Sequence, residues 1–389
     1  ARSELTSLGA LDGGALTPLG AELFRIPTEP HLARLLTEAR ELGLLGRAID
    51  LVAALGTRRS LIVRPQEELA ELACDVSALL FAMERGEPGR HGLDAVALRD
   101  ARREAARLGA AFGEPVREPW DADAVATLLL RAWPGCAHVA RSRGRRTAWS
   151  NGGTEVDLSR RSLVPETSEA VLALAFRAHG SGRDRRLEIT AAMPRTLRQL
   201  ADAGLGSPRL GHVGLERRKV VSRIETVYAG TVLTVDEQTP RGPIAAEAIA
   251  ELLLRGSLRK GFAARYREAH RVASLWAALE DRAPPTDDLA ALLLERGLVV
   301  PDDLALLEDE DLLPPPPPPD VVSTLEQEFP ATVKVGTHRF RVEAVPRGRR
   351  VELHNLGPRI KTPPAATWLP RFRGWEVVLV DRGVRRRLR

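Results

Sequence analysis

The feature that most constrains the fold is a change of hydrophobic periodicity at about His138. Upstream of it, apolar residues recur every three to four positions, as in the stripe formed by Leu32, Leu35, Leu36 and Ala39. Downstream, short segments alternate apolar and polar side chains with the period of two that strands require. The sequence therefore predicts a helical first part followed by a strand-rich part.

Five helices are predicted before the change of period. Glycines and prolines mark most of their ends, since glycine suits a helix C-terminus and proline suits a first helical turn. The predicted helices cover 31–43, 47–55, 65–86, 93–112 and 121–134. The short connections between them favour an α-helical bundle.

Five strands are predicted next, over 136–141, 145–150, 154–158, 170–179 and 185–193. Asn151-Gly152-Gly153 favours a tight hairpin between the second and third strands, and Gly180-Ser181-Gly182 separates the last two. Five short strands punctuated by glycine are compatible with a small barrel such as an OB-fold.

The remaining segments mix helices, strands and one proline run. We predict helices over 196–203, 244–254, 262–279 and 287–296, and strands over 219–235, 332–345, 349–354 and 375–380. An acidic stretch precedes six prolines, Pro314 to Pro319. Such a run favours a stiff polyproline II spacer, with a docking site for an SH3-like partner as the alternative.

Charge is distributed unevenly along the 389 residues, whose formal net charge is +5. Segment 141–240 has 17 basic against 11 acidic side chains, and segment 321–389 has 15 against 6. Separated basic segments are typical of a nucleic-acid-binding face, although an arginine-rich solubilising surface would give the same count. Only two cysteines are present, which excludes a disulfide scaffold and fits a reducing cytoplasm. No apolar run approaches the roughly 20 residues that cross a bilayer.

Several catalytic signatures are missing from the sequence. A phosphate-binding loop needs Gly-Lys-Ser/Thr after its first glycine and spacer, whereas Ala15 and Leu16 follow the glycines at 9–14. The eight histidines are too scattered for a zinc signature, and no Gly-x-Ser-x-Gly elbow occurs. We therefore expect no catalytic residue, no metal site, no cofactor and no ATPase activity in this chain alone.

Three segments of the chain resemble a known family. Leu5-Thr-Ser-Leu-Gly-Ala-Leu-Asp12, followed by Leu16-Thr17-Pro18-Leu19-Gly20, resembles the winged-helix end of DEAH-box helicases. The run from Gly46 to Leu55, followed by Leu61-Ile62-Val63-Arg64-Pro65, is similar in order and spacing to the ratchet (HA2) domain of the same family. The stretch from Asp123 to Trp133, with Asn151-Gly152 beyond it, resembles the start of the OB-fold in the bacterial HrpB-type branch.

The resemblance implies a multidomain α+β protein, with a helical ratchet bundle, an OB-like β-barrel, a mixed α/β segment and a β-rich tail. The implied domains are the end of a winged helix at 1–30, a ratchet domain at 31–117, an OB-like domain at 118–195, a mixed domain at 196–313, a polyproline linker at 314–320 and a basic tail at 321–389. Because both motor domains and an initial methionine are missing, we expect a fragment of a longer protein.

The same resemblance implies the accessory half of an ATP-dependent RNA helicase. Its partners would be single-stranded RNA or DNA and the RecA-like motor of the same protein, with no membrane partner. ATP and Mg²⁺ would belong to that motor.

Arginines supply the first candidate nucleic-acid contacts. Arg58, Arg59 and Arg64 form the most basic point of the ratchet-like segment. Their guanidinium groups suit phosphate oxygens. In the alternative interpretation, Arg64 braces the helix after Pro65 through a local ion pair.

A second candidate group surrounds a predicted hairpin. Positive charge is combined here with a stacking platform, Trp149, since the hairpin is surrounded by Arg141, Arg143, Arg145 and Arg146. In the alternative, Trp149 belongs to the core, because strands alternate their faces.

Two other functional classes remain open from the sequence. One is a nucleic-acid-binding adaptor without a motor. The other is a protein-interaction scaffold in which Trp368, Phe372 and Trp375 dock a partner. Salt dependence separates the scaffold from the other two, because phosphate contacts release counterions and aromatic docking does not.

Overall fold

The computed structural model describes residues 2–144, 146–153, 155–179, 186–345, 348–360 and 362–388. The chain divides into two compact units. The first contains Ala1–Arg209 and Glu225–Asp236, and the second contains Leu210–Ile224 and Glu237–Arg389. Among the described residues, none of the helices has both the length and the hydropathy that crossing a membrane requires.

The first unit begins with two helices and a two-stranded ribbon, α1 (Arg2–Ser7), β1 (Leu11–Asp12), β2 (Ala15–Leu16) and α2 (Pro18–Arg25). Thr17 caps α2, since its Oγ1 accepts a hydrogen bond from the Gly20 amide at 2.9 Å and donates one to the Gly9 carbonyl at 2.7 Å. The segment Leu16-Thr17-Pro18-Leu19-Gly20 thus folds as a capped helix start.

Seven helices follow, α3 (Pro30–Glu41), α4 (Leu45–Leu55), α5 (Glu67–Ala70), α6 (Asp75–Arg85), α7 (Pro88–His91), α8 (Ala95–Ala111) and α9 (Ala122–Ala132). The single helix predicted from Pro65 to Gly86 is wrong. Ala73 has a φ of +47°, which no helix accommodates. The next residue, Cys74, starts α6 by accepting a hydrogen bond from the Ser77 amide at its Sγ atom.

The five predicted strands form one sheet, β3 (Ala137–Arg143), β4 (Arg146–Ser150), β5 (Asp157–Leu158), β6 (Ala170–His179) and β7 (Arg186–Arg195). Its order is β4-β3-β6-β7-β5. The turn after β4 brings Trp149 and Val156 into an antiparallel bridge, but β5 itself pairs in parallel with β7. Within the described strands this sheet is open. The closed OB-like barrel that the sequence predicts is therefore wrong. The glycine turn predicted at 180–182 lies outside the described residues.

Helices and sheet of the first unit share one hydrophobic core, to which Leu36, Ile49, Leu80, Leu108 and Leu172 contribute. The other face of the sheet has a smaller core of its own around Trp149. After β7 comes α10 (Leu197–Asp202). A reciprocal pair of hydrogen bonds between Thr196 and Gln199 caps this helix.

A three-stranded sheet follows, β8 (Ser207–Glu216), β9 (Lys219–Tyr228) and β10 (Thr231–Gln238), in the order β10-β9-β8. Its residues are divided between the two units. The sequence predicted one extended stretch over 219–235. Ala229 and Gly230, both with positive φ, divide that stretch into two strands.

The second unit continues with α11 (Pro243–Leu254), α12 (Phe262–Leu279), α13 (Leu289–Glu295) and α14 (Pro319–Glu328). The helices predicted at 244–254, 262–279 and 287–296 are confirmed within two residues at each end. The helix α14 was not predicted, and its first residue is the last proline of the run.

The tail forms a five-stranded sheet in chain order, β11 (Thr332–Val335), β12 (His338–Val345), β13 (Arg350–Asn355), β14 (Glu376–Asp381) and β15 (Val384–Arg387). The predicted hairpin at 332–345 is confirmed, whereas β15 was missed. Phe340 and Leu353 of the sheet share a core with Leu275 of α12. The tail therefore packs on a helix that precedes the proline run.

Candidate nucleic-acid interface

A cleft with a volume of about 130 Å³ opens in the first unit. It is lined by the segment that follows α4, by the start of α6, by the segment that follows β5, and by the adjoining parts of β6 and β7. Four arginines lie along it, all with exposed side chains: Arg58, Arg59, Arg161 and Arg177. We call these four residues the arginine cleft.

The backbone that presents Arg58 and Arg59 is fixed by local hydrogen bonds. The Thr57 hydroxyl lies 2.9 Å from the Ala54 carbonyl and 2.8 Å from the Arg59 carbonyl. The Ser60 hydroxyl donates to the Ile62 carbonyl at 2.7 Å. A loop held in this way presents its charged side chains with little backbone entropy left to lose on binding.

Gly92 anchors the other end of the same segment. Its carbonyl accepts hydrogen bonds from the amides of Val63 and Arg64, both at 3.1 Å. Its φ is +71°, and a Cβ atom at this position would overlap the Arg64 carbonyl oxygen. Only glycine allows this approach, so the conformation of the arginine-bearing segment depends on Gly92.

Asp75 joins three walls of the cleft. Its carboxylate accepts hydrogen bonds from the Leu163 amide at 2.7 Å, from the Ser162 hydroxyl at 2.7 Å and from the Ala192 amide at 2.9 Å. Burial raises the pKa of Asp75, and the three donors counteract part of that rise. Asp75 thus holds α6 against β7 and against the segment that carries Arg161.

The charges of the cleft are largely unneutralised. Within the described ranges, no carboxylate forms an ion pair with Arg58, Arg161 or Arg177. Arg59 acts on Asp94, whose pKa is lowered chiefly by the Ala97 amide and to a smaller extent by Arg59. Unpaired guanidinium groups in a cleft attract anions, and phosphate is the anion that their planar fork fits best.

Arg64 is exposed but does not line the cleft. In the alternative interpretation, Arg64 would brace the helix after Pro65 through an ion pair, but a different residue forms the ion pair with that helix. Arg90 approaches Glu68 of α5 at 3.4 Å, and no described carboxylate pairs with Arg64. Arg64 therefore remains a candidate contact beside the cleft.

The second predicted group is dispersed. Arg141 donates to the Ala229 carbonyl and lies 3.6 Å from Glu155, so it already has partners within the fold. Arg146 is exposed. Arg145 and the side chain of Arg143 lie outside the described residues.

Trp149 is fully buried, with 0% of its surface exposed, and packs against Val171 and Ile189. The expectation that Trp149 stacks on a base is therefore wrong, and the alternative, that it belongs to the core, is confirmed. Period-two alternation places Trp149 on one face of β4, and that face is covered.

The tail aromatics fall into two groups. Trp368 is 70% exposed, whereas Phe372 and Trp375 are buried beside Phe329 in the core of the tail. Only one of the three residues expected to dock a partner is therefore accessible.

Arg161 and Arg177 were missed by the sequence analysis. Each stands about one hundred residues from Arg58, and neither the pair Arg160-Arg161 nor the isolated Arg177 belongs to one of the motifs that resemble the helicase family. Their proximity to Arg58 results from the packing of the sheet on the helices.

Residues suited to nucleophilic or metal chemistry are buried apart from the cleft. Burial raises the pKa of Cys136 to about 12 and lowers the pKa of His138. Across the described part of the chain, histidine, cysteine and carboxylate side chains do not gather into a metal-binding group of three or more. The described lining of the cleft combines four arginines with the buried carboxyl group of Asp75 and several hydroxyl side chains.

A helicase is among the curated proteins that this chain resembles. A stretch of 70 residues is 39% identical to the probable ATP-dependent RNA helicase DHR2 of Saccharomyces cerevisiae. The stretch represents 18% of this chain and 10% of that helicase. No protein-family profile matches the chain.

Two solved structures resemble the chain over nearly its whole length. One is the DExH-box NTPase HrpB of Escherichia coli, with a TM-score of 0.46, 18% identity, and coverage of 98% of this chain and 46% of that chain. The other, also of Escherichia coli, is described as the DEAH/RHA helicase HrpB, with a TM-score of 0.43, 18% identity, and coverage of 100% and 48%. The chain thus spans less than half the length of these structures.

Proposed function

We propose that this chain is the C-terminal accessory region of an ATP-dependent RNA helicase. It binds and guides single-stranded nucleic acid while a RecA-like motor, which these residues do not contain, hydrolyses ATP with Mg²⁺. The arginine cleft carries this proposal. The N-terminal motifs and the 70 residues similar to a probable RNA helicase support it.

The cleft suits a phosphate backbone for a physical reason. Arg58, Arg161 and Arg177 come from three different segments and lack described carboxylate partners, so a bound strand would not have to displace internal ion pairs. Contacts of this kind are independent of base sequence. A helicase accessory domain needs such binding because the strand must move past it.

The finer domain assignments belong to the same proposal. Residues 31–117 act as the ratchet domain, residues 118–195 correspond to the OB-like domain, and residues 1–30 end a winged helix. Arg64 and Arg146 extend the contact surface beyond the cleft, since both side chains are exposed.

The test is the salt dependence of binding to a labelled single-stranded RNA. In the triple variant Arg58→Gln, Arg161→Gln, Arg177→Gln, the slope of log affinity against log salt should flatten by up to about two units, at about 0.7 per lost phosphate contact. Arg25→Gln, Arg99→Gln, Arg103→Gln is the matched control. It removes three exposed charges from the same unit, away from the cleft.

Equal slopes in the two triple variants would contradict the assignment of the cleft. Binding that does not respond to salt in the wild-type chain would contradict the proposal and would favour the scaffold alternative, for which Trp368 is the exposed aromatic residue.

A further inference from the structure

The hairpin formed by β8 and β9 turns at two arginines. Arg217 and Arg218 are its only turn residues, and their φ angles are +47° and +68°. Positive φ at both central positions is the signature of a type I′ turn, which strongly favours Asn-Gly. Arginine in the left-handed region is strained because its Cβ crowds the backbone. The choice of residues at this turn is thus unfavourable for the fold itself.

The turn and the residue after it carry concentrated positive charge. Arg217, Arg218 and Lys219 are all exposed, and in the described part of the chain none of their side chains forms a hydrogen bond or ion pair. We call these three residues the basic tip. Further along β9, Arg223 does have a partner, since it donates a hydrogen bond to the Glu237 carboxylate at 2.9 Å. Arginine is paired along the strand and unpaired at the tip.

The base of the hairpin is fixed, so the tip is a supported projection. Val213 and Val220 are buried in the core that α11 and α13 build. The Ser222 hydroxyl donates to the Gln238 carbonyl at 3.1 Å. A supported tip loses little conformational entropy when it binds a ligand.

The chemistry of the tip selects phosphate rather than bases. Between Ser207 and Ile224 the sequence contains no phenylalanine, tyrosine or tryptophan. Proteins that hold single strands combine charge with aromatic stacking, and this hairpin offers only charge. A duplex presents twice the phosphate density of one strand and keeps its bases stacked inside. Charge without aromatic rings therefore fits a duplex backbone better than a single strand.

We propose that the basic tip of the β8–β9 hairpin binds the phosphate backbone of double-stranded RNA. This inference rests on the proposed function, to which it adds a duplex-binding element distinct in sequence from the arginine cleft. Contacts from the basic tip to phosphate groups do not depend on base sequence, as expected of an element that must accept any duplex.

The decisive variant is Arg217→Asn, Arg218→Gly in the full chain. It removes two charges and supplies the residues that a type I′ turn prefers. Affinity for a blunt RNA duplex should fall about tenfold or more at 0.1 M salt, with a salt slope flatter by up to about two units. The melting temperature should rise by roughly 1–4 °C, because the backbone strain is relieved. Loss of binding together with a gain of stability cannot come from misfolding.

Two further variants complete the experiment. Arg217→Lys, Arg218→Lys keeps the charge and should retain duplex binding. Arg267→Gln, Arg296→Gln removes two exposed charges from the same unit and should leave duplex binding within about twofold of wild type. Duplex affinity that is equal in the Asn-Gly variant and in this control would overturn the inference.

The single-strand titration separates this inference from the proposed function. A chain that binds single-stranded RNA with the expected salt slope but is unaffected at the tip overturns only the duplex site. A chain that binds neither nucleic acid overturns both. Double-stranded DNA that binds as tightly as double-stranded RNA would contradict the choice of RNA.

Discussion

Asp75 is the residue on which the walls of the arginine cleft converge. Its three hydrogen bonds join α6 to β7 and to the segment after β5. Two of the donors are backbone amides, and both lose this acceptor if the carboxylate is removed. A buried amide without a partner lowers stability by about 1–3 kcal/mol.

Replacing Asp75 with alanine should lower the free energy of unfolding by about 2–5 kcal/mol, because the Leu163 amide, the Ala192 amide and the Ser162 hydroxyl would all lose their acceptor. Urea-induced unfolding measures this change. Asp94→Ala is the control, since Asp94 caps an exposed helix start and should contribute much less than Asp75 does. Similar losses for the two variants would contradict the role given to Asp75.

The pH dependence of stability follows from the same residue. Burial raises the pKa of Asp75, so the folded chain keeps its proton to a higher pH than the unfolded chain does. Its contribution to stability is therefore largest below the unfolded value of about 3.9 and falls as pH rises through the folded pKa. Asp75→Asn does not titrate. Relative to that variant, wild-type stability measured in urea should decrease over this window, and an increase would contradict the prediction.

At the scale of elements, the segment between α4 and α5 holds the arginines in place without regular secondary structure. It is pinned at one end by the Thr57 hydroxyl and at the other by the backbone of Gly92. Leu61 also accepts a hydrogen bond from the Asp94 amide at 3.0 Å. The start of α8 and this segment therefore form one connected structure.

Gly92→Ala should destabilise this structure by more than about 2 kcal/mol, because the residue would adopt positive φ and its Cβ would overlap the Arg64 carbonyl. The displaced carbonyl should also weaken binding of single-stranded RNA. Gly89→Ala is a matched control, since Gly89 lies in the neighbouring helix α7 with no atom within 4 Å of a Cβ. It should be neutral or slightly stabilising. Unfolding and titration curves that are the same for both variants would contradict this account.

At the scale of the whole molecule, each unit has its own hydrophobic cores. The large core of the first unit spans helices and sheet, whereas α11 to α13 and the tail sheet build separate cores in the second. Chains with several cores in separate units commonly depart from two-state unfolding.

Scanning calorimetry should therefore show two overlapping transitions, with a calorimetric enthalpy larger than the van't Hoff enthalpy. Asp75→Ala should lower only the melting temperature of the first unit. Leu293→Ala removes a fully buried side chain and should lower only the melting temperature of the second unit. The corresponding loss in free energy of unfolding is about 2–5 kcal/mol. One transition with equal enthalpies, shifted by both variants, would contradict the division into units.

Local patterns were sufficient for elements with marked ends. The helix α12 and the hairpin at 332–345 lie where periodicity and glycine placed them. The parallel pairing of β5 with β7 was not predictable, because nearly thirty residues separate the two strands and packing chooses the partner. The break at Ala73 also escaped the pattern, since an alanine with positive φ is set by its surroundings.

The candidate site divides in the same way. Arg58 and Arg59 stand out in the sequence because adjacent charges near a helix end are a local signal. Arg161 and Arg177 join them only in the folded chain, and Trp149 is removed from the candidate surface for the same reason. The sequence determines which side chains can bind phosphate. Tertiary packing decides which of them meet, because long-range proximity and the choice of the buried sheet face depend on contacts between distant segments.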